Sequence, residues 1–496
     1  MIKYSFFFLF IFLMSFSGST DAQSLVISAD NIDNNGFDYA KVIGQDDEGV
    51  YVLMSNLSLE SDRDRFGLKT RKYEISYFGY SMQMKWRKSI DAIPSNGSLE
   101  SIGFFNGRPV VISSVQLRAS GEFQLFLSVL NEKGENIVSG LKVYNGLVNK
   151  SSDLSKPKII LSSDRKWMGV SLEEYGNANI KVHYCTINEN FQASYQSKSE
   201  INYNSKDAEL SEFALSNSED LLFLGYTKDP SDGKKSRLRQ YKIFQMSKSA
   251  GNINEYNFNT AEQFMTEAAL VIDKINNTAI ITGFYSDQTS FAGASLLYAT
   301  LPIRQNSELQ IKSGKLNNEA QLKFIGQRNT GTGASLISYP IRQVIPRNDG
   351  GALMIAEAAY LSEYSFYDYF TQTFNRRIEF HFDNILTLSV NADGSIHWSQ
   401  LIRKEQTSMD DEGLYSSFNT VLTPEEISII YNFDIGRSNE IVSYGIDAKG
   451  VMSTKKISKK SDSISILPRA GKQVDENTFV VPAVTKKRLF LVKIEI

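Results

Sequence analysis

Seven strand–turn–strand segments recur along this chain at a nearly constant spacing, and that period restricts the fold more than any other feature. The clearest copy is Asn384–Arg403, NILTLSVNADGSIHWSQLIR, two apolar runs joined at Asp393-Gly394, a dipeptide suited to a tight hairpin turn. Comparable turns fall at Gly79, Gly134, Asn190, Gly251, Asn306, Gly394 and Gly450, spaced by 55, 56, 61, 55, 88 and 56 residues. Five of six nearly equal gaps define a repeat.

Each of these hairpins follows another pair of short apolar runs around polar turn residues, as in YAKVIGQDDEGVYVLMSNL from Tyr39 or VIPRNDGGALMIAEAAY from Val344. The unit is therefore four strands in about 55 residues, the size of a propeller blade with generous loops. Strands follow one another without helix-length segments between them, which argues against a βαβ fold. After the seventh hairpin come SISILPRAG, NTFVVPAV and RLFLVKIEI, three further strands. The strand needed to complete that unit is SLVIS, at Ser24–Ser28, so the two chain ends are expected to close one blade. The 474 residues from Gln23 to Ile496, less the 33 extra residues of the long interval, make about eight units. The expectation is an all-β, eight-bladed β-propeller, with seven blades as the alternative.

The first 22 residues read as a secretory signal peptide: Lys3, an apolar run from Phe6 to Met14, and small residues up to Thr20-Asp21-Ala22. That run is shorter than the roughly 20 apolar residues a spanning helix needs, and no later stretch is long and apolar enough. Residues 23–496 are expected to form a single propeller domain, with insertions at about 317–340 and 360–382. The last 70 residues continue the repeat, so retention in the periplasm, or at the periphery of the outer membrane, is expected over release outside the cell. Aromatic residues make up 12% of the chain and suit pleated, half-buried surfaces. A net charge of −3 supplies no field to attract nucleic acid. Cys185 is the single cysteine, which excludes an internal disulfide; in the alternating run IKVHYCTI it reads as a buried small hydrophobe.

Catalytic and metal-binding patterns fail on spacing. Asn31-x-Asp33-x-Asn35-Gly36 begins like a calcium loop, but its twelfth position is Val42 where a bidentate Glu is required. His183, His381 and His397 form no i, i+4 pair and have no cysteine partner nearby, so no zinc signature is present. Ser408-Met-Asp410-Asp-Glu-Gly413 misses the Asp-box spacing of sialidases by one residue and lacks its tryptophan. Neither a G-x-S-x-G elbow nor a P-loop occurs. No cofactor and no metal are expected. Basic groups at Lys228–Arg239, Lys455-Lys456, Lys459-Lys460 and Lys486-Lys487-Arg488 read as solvated guards of strand edges, or as one basic face if the last two blades are neighbours.

The long interval holds the two departures from the repeat. Asn317–Gln327 has apolar residues at helical spacing. In Tyr360–Phe382, YLSEYSFYDYFTQTFNRRIEFHF, nine of 23 residues are Phe or Tyr, so the aromatic enrichment is local. One reading is a strand extension whose rings pack over an end of the propeller. The other is a partner-binding protrusion carried by Tyr364, Phe366, Tyr367, Tyr369, Phe370, Phe374, Arg376 and Arg377, residue types in which binding energy concentrates.

Gly394 and Trp398 in SVNADGSIHWSQLI resemble the G-x-x-x-W blade ending of quinoprotein-type propellers; Trp86 carries the same mark. RNDGGALMIAEA resembles the D-G-G-apolar blade opening of secreted bacterial propellers. An aromatic insertion leading into a DG hairpin is similar to exported propellers found beside outer-membrane machinery, among them the plug subunit of the type 9 secretion translocon. The resemblance implies a non-catalytic envelope scaffold with a protein partner, in an outer-membrane complex with a role in protein transport. The alternative is a secreted enzyme or glycan-binding propeller acting on polysaccharide at the central channel, with carboxylates and aromatics clustered in a funnel.

Overall fold

The computed structural model describes residues 25–28, 32, 39–56, 72–117, 119–148, 153–203, 208–228, 239–248, 251–258, 263–287, 295–304, 307–315, 339–370, 372–435, 440–458, 463–485 and 488–496. Residues 1–22, read as a signal peptide, most of the calcium-loop-like stretch 31–42, Asn306 and residues 317–327 lie outside them.

Eight antiparallel four-stranded meanders run in chain order. Blade 1 comprises Tyr39–Gln45, Gly49–Ser55, Tyr73–Gly79 and Met84–Ser89, and blades 2 to 7 follow the same plan up to Met452–Lys456. Blades 4 and 5 are joined by a single bridge between Arg239 and Met265. Blade 8 is composite, as expected. Its middle strands are Thr478–Thr485 and Arg488–Glu495, and its outer strand is Leu25–Ile27, paired antiparallel with Val492–Ile494. Its inner strand is split into Ser465–Ile466 and Lys472–Asp475 around the short 3-10 turn Pro468–Ala470. First strands of successive blades meet around the ring, those of blades 6 and 7 through Thr420 Oγ1 donating to Gln343 Oε1, and blade 8 packs on blade 1, so the circle closes.

The reason the sequence folds this way is visible in blade 1's second strand, GVYVLMS, buried at every residue. Val50, Val52 and Met54 point to blade 8 and join Val480 and Leu491. Tyr51 and Leu53 point the other way, against Val111 and Leu130 of blade 2. A strand covered on both faces reads as a continuous apolar run. Eight such clusters fill the eight spaces between blades.

The marker turns join third and fourth strands. At Asn391–Ser395 the turn is longer than a two-residue hairpin: Gly394 N–H donates to Asn391 O (2.9 Å) and Asn391 N–H to Ser395 O (2.8 Å). Gly394 takes φ +84°, the left-handed position of a type I turn with a G1 bulge. The G-x-x-x-W pattern has a packing cause. Trp398 of blade 6 donates its indole N–H to Ala448 O (3.0 Å) in the corresponding turn of blade 7. Its ring lies so close to Gly450, at φ +81°, that a Cβ there would collide with it. Trp86 of blade 1 repeats the contact on Glu132 O of blade 2 (2.6 Å).

Candidate functional site

In blade 6 the second and third strands, Ala352–Asp368 and Thr373–Val390, are 17 and 18 residues long, against seven each in blade 1. Their apolar, buried part ends near Ala358. Beyond it Ala359–Asp368 pairs with Thr373–Phe382 through ten consecutive registers. At about 3.3 Å per residue this is an arm about 30 Å long. The insertion at 360–382 is thus a strand extension in its backbone, and its rings are carried outward instead of folding over the propeller end.

All eight predicted residues lie on this arm. Phe370 is 101%, Tyr369 84% and Phe374 78% exposed at its tip. Tyr367 packs edge-on to Tyr369 and to Phe374, with ring centroids 5.1 Å apart in both cases. Further down, the Arg377 guanidinium sits 5.0 Å over the Phe366 ring. Arg376 pairs with Glu363. Tyr364 donates its hydroxyl to the Met409 sulfur (3.3 Å) on the fourth strand, Ile396–Met409. Nearer the body, Tyr360 stacks on His381 at 4.4 Å and 8°. The arm is therefore a ribbon stiffened by cross-strand pairs, with an apolar cap.

Sequence reasoning missed what lies at its root. Glu357 and Lys404 are fully buried, 2.9 Å apart. The other Glu357 oxygen accepts from Arg342 Nε (3.0 Å) and Ser417 Oγ (2.7 Å). Lys404 donates to Phe382 O (2.7 Å) and Gln406 Oε1 (2.9 Å), and burial holds its ammonium below the usual lysine range against the pull of Glu357. Gln406 donates to Asn432 O in blade 7, and Asn432 bonds to both backbone groups of Ile466 in blade 8. The guanidiniums of Arg342 and Arg469 lie over the Phe382 ring, 5.7 and 5.5 Å from its centre. A charged residue inside the apolar run ALMIAEAAY was the one available signal.

At the opposite end, a cleft of about 810 Å³ opens between turns of blades 1, 2 and 8, lined among others by Asp46, Asp47, Tyr80, Arg108, Asp475 and Lys493. Burial pushes the Asp46 carboxyl up, but hydroxyls of Tyr51 and Tyr77 and the N–H groups of Glu48 and Gly49 donate to it and hold it below its ordinary range. Its oxygens are spent on shaping the turn. Among the described residues no group of three His, Cys, Asp or Glu could hold a metal ion, and no helix is long and apolar enough to cross a membrane. Cys185 is buried, its thiol pushed up to about 11 by burial. Blades 7 and 8 are neighbours, but Lys455 and Lys456 are countered by Glu426 and Glu440. The other basic groups lie mostly outside the described residues.

This architecture is that of an eight-bladed β-propeller. No protein-family model matches the chain. No curated protein matches it either. Similar solved structures include a Synechocystis apocarotenoid oxygenase, 9% identical over 96% of this chain and 94% of that one (TM-score 0.37). The polysaccharide lyase Uly1 is 8% identical over 90% and 88% (0.36). The Nup133 β-propeller domain of Vanderwaltozyma polyspora is 11% identical over 80% and 100% (0.34). Likenesses at this level say nothing about activity, and the fold rests on the strand pairing itself.

Proposed function

We propose that this protein is a non-catalytic binding scaffold of the bacterial cell envelope, exported to the periplasm or the periphery of the outer membrane. Its arm engages a protein of an outer-membrane complex with a role in protein transport. One observation carries the reading: a stiff ribbon about 30 Å long that presents Tyr369, Phe370 and Phe374 to solvent. Rings held this way lose little conformational freedom on binding, which favours an interface over a core that failed to close. The resemblance to exported propellers beside outer-membrane machinery, of which the type 9 plug subunit is an example, points to the same setting. The alternative, a glycan-binding or polysaccharide-degrading propeller, draws on the cleft with Asp47, Asp475 and Tyr80.

The test is affinity capture from native membranes in gentle detergent, comparing wild type with Tyr369→Ser/Phe370→Ser/Phe374→Ser. Outer-membrane proteins recovered with the wild type and lost with the variant support the scaffold. Recovery of only the free monomer in both cases, or equal recovery of partners, defeats it. Binding of soluble polysaccharide abolished by Asp47→Asn/Asp475→Asn would favour the alternative.

A further inference from the structure

Every blade of a propeller ends in a strand with one unpaired edge, and such edges recruit other strands unless they are guarded. Here the outer strands carry guards. Lys88, Lys142, Lys198, Lys312, Arg403 and Lys455 stand on the outer strands of blades 1, 2, 3, 5, 6 and 7. The outer strands of blades 4 and 8 are only five and three residues long.

The arm departs from this rule on one side. Blade 6's first strand pairs with its second as far as Ile341 opposite Ala356, with one further bond from Glu357 N–H to Pro340 O (3.1 Å). From Leu361 to Tyr367 the second strand continues, yet among the described residues nothing pairs with its outer edge. Among the described residues this edge has none of the usual protection. LSEYSFY contains no Lys, Arg or Pro, its only charge, Glu363, is engaged by Arg376, and the sole bulge lies below it, between Glu357 and Ala359. The other edge of the ribbon is different: it carries Arg376 and Arg377, and at Ile378 it is closed by Asp410 through two 3.0 Å bonds.

We propose that the Leu361–Tyr367 edge receives an extended segment of a partner polypeptide, which adds to blade 6 as a further strand. The occupant follows from the chemistry of the surface. Backbone donors and acceptors in regular alternation along seven residues match another extended backbone and no compact ligand. Alternate side chains give the added strand two different faces. Tyr364 and Phe366, with Arg377 over the latter, favour aromatic or acidic residues on one face, while Leu361, Glu363 and Tyr367 line the other. This deepens the proposed function, on which it rests: the tip makes contact, and the edge takes the peptide.

The experiment selects linear twelve-residue peptides from a random phage-displayed library against the full mature chain. Selected peptides are then measured by fluorescence anisotropy on wild type, on Ser362→Lys/Ser365→Lys and on Phe370→Ser. The expected result is saturable binding weakened at least tenfold by the two lysines and unchanged by Phe370→Ser. Slowed amide hydrogen exchange should be confined to Leu361–Tyr367. No selectable binder, binders indifferent to the lysines, or protection elsewhere on the propeller would overturn it. So would concentration-dependent self-association abolished by the lysines, since the edge would then serve a second copy of this chain. The two readings fail separately: peptides seated on this edge together with membrane capture that survives the tip substitutions would remove the tip from the proposal and leave the edge.

Discussion

Glu357→Gln should be among the most damaging single changes in blade 6, although it alters one atom. The Glu357 and Lys404 side chains are both 0% exposed and their charges are 2.9 Å apart. At an effective dielectric of about 20 the attraction is worth roughly 6 kcal/mol, most of it offset by the desolvation of both ions. Removing one charge keeps the desolvation of the other and loses the attraction, so the expected cost is about 3–5 kcal/mol. The amide keeps one acceptor oxygen, which can serve Lys404 or the pair Arg342 and Ser417, but not both sides. Replacing both, as Glu357→Leu/Lys404→Met, removes both ions; Arg342 is about one-third exposed and can turn to water. The double variant should therefore lie within about 1–2 kcal/mol of wild type. Urea unfolding followed by tryptophan fluorescence is a suitable assay, because Trp398 sits at the junction of blades 6 and 7. A single-variant cost below about 1 kcal/mol, or a double variant as weak as the two singles summed, would refute an ionic root to the arm.

The other predictions concern single sites. Burial, assisted by the charge of Lys198, pushes the His183 imidazole down to about 4, between Tyr144 at 4.9 Å and Glu174 at 3.7 Å. The folded state therefore keeps it neutral while the unfolded chain protonates it. Its contribution is complete above pH 6.5 and is lost as the pH falls toward 4, by about 3 kcal/mol in all. Wild type should lose that much more stability than His183→Gln across this window, read from urea midpoints; parallel losses would sink the assignment. Gly413→Ala meets both a left-handed backbone (φ +65°) and the Phe382 ring, and should cost about 2–4 kcal/mol. Gly251→Ala has the same φ with nothing within 4 Å, so about 1 kcal/mol is expected, and equal shifts in melting temperature would show that the ring plays no part. Phe370→Ser should leave the melting temperature within a degree of wild type, because the side chain is wholly exposed; a larger drop would mean that the tip is part of the fold.

The repeat was legible because each blade buries both faces of its middle strands, which makes their apolar runs continuous, and because the turns need residues that tolerate a left-handed backbone. The closing strand was legible for a different reason: three terminal strands left one edge to fill, and Leu25–Ile27 had the pattern to fill it. The hairpin turn read at Asp393-Gly394 is present; its opening at Asn391, with Gly394 as the bulge residue, was not read from the dipeptide. The tryptophan mark was visible at Trp86 and Trp398, but its cause was not, because the partner turn belongs to the next blade. The polar root was illegible for the same physical reason. Glu357, Lys404, Ser417, Asn432 and Ile466 come together only after blades 6, 7 and 8 pack.

That root bears directly on how the arm could work. A two-stranded ribbon alone in water is marginally stable. This one is continuous with a four-stranded sheet, and all three strands that enter it touch the buried network: Glu357 on the second, Phe382 on the third, Lys404 and Gln406 on the fourth. Through Asn432 and Ile466 the network at the root of the arm spans blades 6, 7 and 8. A buried ion pair is a poor source of stability, and an apolar pair would often serve as well or better. The value of the ion pair here is angular. Hydrogen bonds to fixed backbone carbonyls admit one orientation, whereas apolar packing tolerates several. The Glu357→Leu/Lys404→Met variant separates the two contributions. On the proposed function, it should retain stability while peptide binding at the arm weakens, because binding must then bear the cost of orienting a looser ribbon.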